Sequence, residues 1–303
     1  MRRTATHDCT RPDGISGPVA VAARGRDLLT GEDGRATELA ASRIDLRAEF
    51  GTGIIRELAA DPADPRLAPL VGVSVLSRFR GAVEAALPGE TTSHSVRQQL
   101  FDDLPLALMM SGRVLRVAGI PIEMAGDRTL PTDICAGWAT GGTLLAGYAE
   151  LGPPLHIGPV APALEPEDDP LGWHATEPLA PQATRRRRRL DVWEDDGVGH
   201  LDCFFRDSHV DADGTETVVH EWRVAAQLDP VTESFVACDA DMGPLPYPEC
   251  PGAAASARRL VGAPVDGVRR SVRSTFVGPT TCTHLNDTLR VMEDACALLA
   301  ALR

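Results

Sequence analysis

The stretch Gly25-Arg-Asp-Leu-Leu-Thr-Gly-Glu-Asp-Gly34 decides the fold, because several of its residues occur again later in the chain. Its pattern is typical of a β-strand that enters a turn at Asp33-Gly34. Arg26-Asp27 and Asp33-Gly34 recur as Arg206-Asp207 and Asp213-Gly214, both at a shift of 180 positions. The repetition predicts that one structural unit is built twice.

The match continues downstream at a shift of 190 positions. Leu70-Val71-Gly72 recurs as Leu260-Val261-Gly262, and His94 recurs as His284. An insertion of about ten residues around 244–251 of the second copy accounts for the change of shift. Strand candidates come before helix candidates in both copies. We therefore predict an α+β fold, an internally duplicated pseudo-dimer in which each half is an antiparallel β-sheet backed by helices.

Local composition divides the chain into four parts. Residues 1–22 are polar and rich in small residues, and we expect them to form a disordered N-terminal tail. We expect residues 23–111 to form the first repeat, which is degenerate and lacks the candidate metal site. Residues 112–184 contain a connecting helix and a proline-rich, acidic linker. Residues 185–303 form the second repeat, which carries the candidate metal site.

The bulk composition limits the classes of function. The 303 residues carry a formal net charge of −13, which argues against a nucleic-acid partner. No apolar run reaches the ~18 residues that a membrane-spanning helix needs. The seven cysteines are odd in number and irregularly spaced, which favours a reduced, cytoplasmic protein over a disulfide framework. A small molecule is therefore the expected partner; the oligomeric state stays open, and a monomeric pseudo-dimer is one option.

The motif Cys282-Thr-His284 stands where a loop gives way to a C-terminal helix, whose apolar residues recur at helical spacing. Thr283 is the expected N-cap, and the unpaired N–H groups at the helix start favour the thiolate form of Cys282. A buried free cysteine and a capping histidine are the alternative interpretation. Cys282 faces Thr92 in the first copy, whereas His284 faces a like residue, His94. Cys282 is therefore the stronger candidate for chemistry.

Several motifs together resemble a known family. Phe205-Arg-Asp207, His220-Glu-Trp222, Glu249-Cys-Pro251 and Cys282-Thr-His-Leu-Asn-Asp287 resemble the family of domain of unknown function 2889, as does Gln99-Leu-Phe-Asp-Asp-Leu-Pro105 in the first half. This resemblance covers nearly the whole chain, but the family name carries no established activity. The second half is also similar to the NifU/SufE-type iron–sulfur scaffold fold, in which three cysteines converge.

The scaffold resemblance implies a set of metal ligands. Cys250 and Cys282 match the second and third cysteines, and His220 stands at the position of the first. With His284 or water as a fourth ligand, two thiolates and an imidazole suit tetrahedral zinc, and alternatively iron. Cys135 is a weaker candidate for the rim of this site, and the remaining cysteines of the second half are assigned to the core.

Two glutamates adjacent to the proposed ligands, Glu221 and Glu249, are candidate general bases. Strand alternation would turn Glu221 to the opposite face from His220, which makes Glu221 a weaker candidate for a general base. The predicted function is a zinc- or iron-dependent enzyme that acts on a small apolar organic substrate by hydrolase, lyase or isomerase chemistry. The alternatives are a non-catalytic metal or iron–sulfur handling protein and a metal-free binding or structural protein.

Overall fold

An eight-stranded antiparallel sheet forms the centre of the computed structural model, which describes residues 1–120, 131–151, 155–165 and 169–302. The strands lie in the order β4-β3-β2-β1-β5-β6-β7-β8, so each half of the chain contributes a four-stranded meander, and the two meanders join along β1 and β5. The predicted α+β class with antiparallel strands is confirmed. The strands are β1 (Arg2–Thr10), β2 (Val19–Thr30), β3 (Ala36–Ala48), β4 (Ile55–Asp61), β5 (Ala183–Asp195), β6 (Val198–Val210), β7 (Glu216–Asp229) and β8 (Ser234–Met242).

Strand β1 lies in the middle of this sheet, with β2 on one side and β5 on the other. The expectation of a disordered tail over residues 1–22 is therefore wrong for residues 2–10 and for the start of β2. The polar side chains of β1 find buried partners; the guanidinium of Arg3, for example, donates to the carboxylate of Asp27 at 2.7 Å. These partners lie far away in the sequence, so local polarity wrongly indicated a solvated segment.

The helices that cover the sheet lie on one of its faces. They include α1 (Phe79–Ala86), α2 (Val96–Met110), α3 (Gly112–Val117), α4 (Thr143–Leu151), α5 (Val268–Thr275), α6 (Thr283–Val291) and α7 (Ala295–Ala300), with 3-10 segments at Pro65–Leu70, Glu90–Thr92, Ala136–Trp138, Cys250–Leu260 and Met292–Asp294. Helices α1 and α2 pack on the first meander and α5 and α6 on the second, each pair over its own cluster of buried apolar side chains. Within the described part of the chain, no helix combines the length and apolarity needed to cross a membrane.

The five consecutive arginines at 185–189 form much of the central strand β5. Because side chains alternate along a strand, Arg186 and Arg188 point toward the helices and the other three point to the opposite face. Arg186 and Arg188 are almost completely buried and pair with aspartates from β6 and α2. On the opposite face Arg187 reaches Glu165 of the linker at 2.5 Å. The run thus supplies positive charge to both faces of the sheet.

The proline-rich linker lies against the face of the second meander that the helices leave open. Residues 159–161 pair with the start of β7 through two backbone hydrogen bonds of 2.8 and 2.9 Å. Trp173 is only 5% exposed and packs edge-on against Phe204, with ring centroids 6.0 Å apart. The ring of His174 lies within hydrogen-bond distance of two threonine hydroxyls of β1. The linker is therefore an ordered arm over this part of its length.

Candidate metal centre

Asp207, His220 and His284 form a compact group beneath the helices of the second meander. Asp207 on β6 and His220 on β7 are directly opposite each other in the strand register, and His284 lies in the first turn of α6. One carboxylate oxygen and one nitrogen from each imidazole all lie within 4.8 Å of one another. The two imidazole rings are stacked, with centroids 3.6 Å apart. Three side chains with metal-ligand chemistry therefore share one small volume.

The distances within this group are longer than hydrogen bonds. Oδ2 of Asp207 lies 3.6 Å from Nδ1 of His220 and 3.7 Å from Nε2 of His284. Nδ1 of His220 is buried and finds no hydrogen-bond partner among the described atoms. The side chains of His220 and His284 are only 11% and 15% exposed. A buried polar atom without a partner is unusual in a native protein, and a bound ion is one explanation for it.

A buried arginine holds Asp207 in its ionised form. The guanidinium of Arg186 donates to both carboxylate oxygens, at 2.9 and 3.0 Å. Burial raises the pKa of Asp207, but the charge and hydrogen bonds of Arg186, together with the two nearby histidines, outweigh burial and hold that pKa well below its usual range. The same guanidinium lies 3.3 Å from a carboxylate oxygen of Asp287 on α6. Asp207 is therefore a carboxylate at neutral pH.

Both histidines are held in their neutral form. Burial lowers the pKa of His220, with the nearby Asp207 acting in the opposite direction. Burial also lowers the pKa of His284 well below its usual value, and the adjacent His220 lowers it further. A neutral imidazole is the form that binds metal ions. The group thus presents two neutral nitrogen ligands and one anionic oxygen ligand.

The two predicted cysteine ligands are not part of this group. Among the described residues, neither Cys250 nor Cys282 has its sulfur in a set of three candidate ligand atoms within 4.8 Å of one another. Cys282 is itself the N-cap of α6, so the prediction of Thr283 at that position is wrong by one residue. Burial raises the pKa of Cys250 to about 11 and that of Cys282 to about 12, although the N–H of Leu285 opposes the second shift. Loss of hydration therefore outweighs the helix start, and the expected thiolate is not favoured.

The two predicted general bases are not part of the group, and each accepts hydrogen bonds from another residue of the fold. Glu221 lies on the face of β7 opposite His220, as strand alternation predicted, and accepts a hydrogen bond from Arg206 at 2.5 Å. Glu249 accepts from the N–H and the hydroxyl of Thr143 at 2.7 and 2.8 Å, which caps the start of α4. Burial would raise the pKa of Glu249, but these hydrogen bonds lower it. Both glutamates therefore act as partners within the fold.

Sequence analysis missed Asp207 as a member of the site. The pair Arg206-Asp207 repeats Arg26-Asp27, so we used it as evidence of repetition and assigned no chemistry to Asp207. In the first half Asp27 pairs with Arg3, and Nδ1 of His94 lies 2.9 Å from Asp294. The position that corresponds to His220 there is an alanine.

A known protein family matches the part of the chain that contains the Asp–His–His group. Residues 184–298 match the family model of a protein of unknown function, DUF2889. The match runs from β5 into α7 and contains Asp207, His220 and His284, whereas β1–β4 lie outside it. The family resemblance that we expected over nearly the whole chain is thus shown for the second half. No curated protein and no solved structure matches the chain.

Proposed function

We propose that this chain is a metal-dependent enzyme whose cation is held by Asp207, His220 and His284. The observation that carries the proposal is the convergence of their three ligand atoms within 4.8 Å. Two imidazoles and one carboxylate form a ligand set that suits zinc, and alternatively ferrous iron. A bound cation of this type lowers the pKa of a coordinated water molecule or polarises a substrate oxygen.

The donor set fits such an ion on three grounds. Nδ1 of His220 is buried without a partner, both imidazoles are neutral, and Asp207 is ionised. Metal binding would therefore not have to displace protons from the histidines. The proposal replaces Cys250 and Cys282 by Asp207 in the ligand set that we expected from the sequence, and it does not use Glu221 or Glu249.

The proposed substrate is a small, predominantly apolar organic molecule that undergoes hydrolysis, elimination or isomerisation. Support comes from the surroundings of the group. The ring of Phe205 lies 6.0 Å from that of His284, and Trp222 lies two residues from His220 on the same face of β7. A cavity of about 580 Å³ elsewhere, between the first meander and linker residues 177–180, does not include the three ligands.

Zinc titration of chelator-treated protein, followed by calorimetry, tests the proposed centre. We expect about one zinc ion per chain, and we expect His220→Ala and His284→Ala each to weaken binding by more than about 100-fold, since outer-shell changes alone cost 10–100-fold. His200→Ala is the matched control, because His200 stacks on Trp193 at the β5–β6 hairpin. Circular dichroism establishes that each variant folds. Equal affinity in wild type and His220→Ala would rule out the proposed centre.

A metal-free binding or structural protein is the second candidate function. The observation that favours it is that Arg186 donates hydrogen bonds to both carboxylate oxygens of Asp207. A cation bound by Asp207 would have to share that carboxylate with the guanidinium. Under this alternative the chain takes up no zinc at the group, and His220→Ala leaves metal content unchanged. A non-catalytic metal-handling protein would bind zinc with the same stoichiometry, so only an assay of turnover separates it from the enzyme.

We further propose that the two meanders arose by internal duplication, giving a pseudo-dimer related to the NifU/SufE-type fold. Support comes from the shared order of four strands followed by helices, and from paired features at matching positions. Gly72 and Gly262 both adopt a positive φ, of 90° and 84°. Arg3 pairs with Asp27 on β2, while Arg186 pairs with Asp207 on β6.

A further inference from the structure

The cavity of about 580 Å³ lies on the face of the first meander that the helices leave open, and strand β2 forms its floor. Because side chains alternate along a strand, Val21 points into the helix-covered core, whereas Ala20 and Ala22 point to the open face. The neighbours of Ala22 across the sheet are longer, with Asp8 on β1 and Asp45 on β3. Short side chains between longer ones therefore leave a hollow along β2.

Linker residues 177–180 form one wall of this cavity. The carbonyl of Glu177 accepts a hydrogen bond from Arg185 of β5 at 2.6 Å, which fixes the linker beside β1. A volume of roughly 300–1,000 Å³ is typical of sites for small molecules. The cavity is therefore large enough for a small ligand and is bounded by two ordered segments.

A half-buried arginine, Arg24, lines one end of the cavity without a counter-charge. Within the described part of the chain, its guanidinium makes no ion pair and no hydrogen bond. Directly across the β2–β3 pairing lies a second arginine, Arg43, which pairs with Asp45 on its own strand at 2.5 Å. Because like charges directly opposite each other destabilise a sheet, an anion bound at Arg24 would be stabilising here.

The surroundings of His174 show the same excess of positive charge at this end. Burial lowers its pKa to about 4, and the charges of Arg26, Arg187 and Arg24 lower that pKa further. Of the charges that act most strongly on this ring, only that of Asp8 opposes them. This end of the cavity therefore favours an anionic group.

The rest of the lining contains two carboxylates, on Glu57 and Glu177, that make no ion pair or hydrogen bond with other described residues. Glu57 lies across the β3–β4 pairing from Arg47, but Arg47 pairs with Asp13. These carboxylates favour a cationic group such as an ammonium. Arg24 and Ala20, which lies across from Arg47, are four residues apart on β2, or about 14 Å at ~3.4 Å per residue.

We propose that this cavity binds a short peptide with free ends, whose carboxylate pairs with Arg24 and whose ammonium group lies at Glu57 and Glu177. An extended peptide of about three residues spans about 10 Å, and the arginine and glutamate side chains cover the remaining distance. A guanidinium binds a carboxylate through two parallel hydrogen bonds. The alanine floor leaves room for small side chains, and none of the three proposed metal ligands lines the cavity.

Calorimetric titration of the full-length protein with trialanine tests this site. We expect a Kd below about 1 mM, the affinity that a ligand of this size typically reaches. Trialanine amide, which lacks the carboxylate, and N-acetyl-trialanine, which lacks the ammonium group, should each bind at least about tenfold more weakly, because each loses hydrogen bonds to a charged group. Absence of trialanine binding, or equal affinity for either modified peptide, would overturn the proposal.

Variants of the protein test the same site from the other side. Arg24→Met should weaken trialanine binding at least about tenfold, and Ala22→Phe should do the same by filling the floor. Arg35→Met is the matched control for charge, since Arg35 is 89% exposed in the β2–β3 hairpin. Ala41→Phe is the matched control for size, since Ala41 is exposed on β3 and does not line the cavity.

Both controls should bind trialanine like the wild type, and wild-type affinity of Arg24→Met would overturn the proposal. Circular dichroism reports whether each variant folds, and the comparison of the three peptides needs only the wild type. His220→Ala should leave trialanine affinity unchanged, so failure of this proposal is distinguishable from failure of the proposed Asp207 centre.

Discussion

Asp103→Asn is expected to lower the free energy of unfolding by about 3–5 kcal/mol. Asp103 on α2 belongs to the first half and Arg188 on β5 to the second, so their pair ties the halves together. The two carboxylate oxygens accept from Arg188 at 2.9 and 3.0 Å, and neither side chain is more than 4% exposed. Asparagine keeps one acceptor but leaves the guanidinium without a counter-charge. The cost of that unpaired buried charge sets the magnitude.

Urea unfolding at neutral pH, followed by far-ultraviolet circular dichroism, measures this change. The matched control is Asp239→Asn, which removes a carboxylate that pairs with Arg258 at 2.7 Å on the surface. Because those side chains are 61% and 75% exposed, we expect the control to cost less than about 1 kcal/mol. If Asp103→Asn unfolds within about 1 kcal/mol of the wild type, the reasoning from buried charge is refuted.

The same pair predicts a pH dependence. Burial alone would raise the pKa of Asp103, but Arg188 and Arg186 outweigh it and hold that pKa well below its usual range. Since the pKa is lower in the folded than in the unfolded chain, the stabilisation is fully present above the ordinary aspartate pKa of about 4 and is lost as the pH falls below it. The difference in stability between wild type and Asp103→Asn should therefore shrink below about pH 4.

Three further predictions concern the arm, a helix cap and a close backbone approach. Trp173→Ala should destabilise the protein by about 3–5 kcal/mol, because its buried ring anchors the arm, and limited proteolysis should cut the arm faster than in the wild type. Glu249→Gln should cost about 1 kcal/mol in urea unfolding through a weaker cap on α4, while zinc affinity stays unchanged. Gly25→Ala should cost about 1–3 kcal/mol, because its Cβ would lie 2.8 Å from Val96, whereas Gly81→Ala, with open space around it in α1, should stabilise by about 0.5–1 kcal/mol. Equal unfolding midpoints for the two glycine variants would contradict the packing argument.

Elements with local signals could be predicted from the sequence, and β1 could not. Helix α2 runs over Val96–Met110 and has a local start signal, because the hydroxyl of Ser95 caps it by accepting from the Gln98 N–H at 3.0 Å. Strand β1 carries no comparable signal, since its charged residues are stabilised by distant partners. Arg3, for example, donates to Asp294 at 2.9 Å across 291 positions of sequence. Local polarity cannot reveal a counter-charge supplied by tertiary structure.

The candidate site could also be predicted only in part, because distant residues contribute to it. His220 and His284, which we predicted as ligands of one metal, do lie side by side, with ring centroids 3.6 Å apart. The sequence did not show which residue of a distant segment would lie beside them. Asp207 was set aside because the first half contains a like residue, Asp27. The comparison between halves identifies shared residue types, whereas a site depends on which side chains surround each copy. In the second half Asp207 meets two histidines, and in the first half Asp27 meets Arg3.

The start of α6 explains why the predicted ligand set divides into two groups. Residues two positions apart in a helix do not face each other, so Cys282 and His284 cannot readily bind one ion although they are close in sequence. Cys282 lies with Leu285 in the apolar core of the second meander. His284 lies on the side of Thr288, whose hydroxyl is 3.3 Å from the guanidinium of Arg188, and so it borders the buried charges of β5 and β6. One helix start therefore places Cys282 in the apolar core and His284 beside Asp207 of the proposed centre.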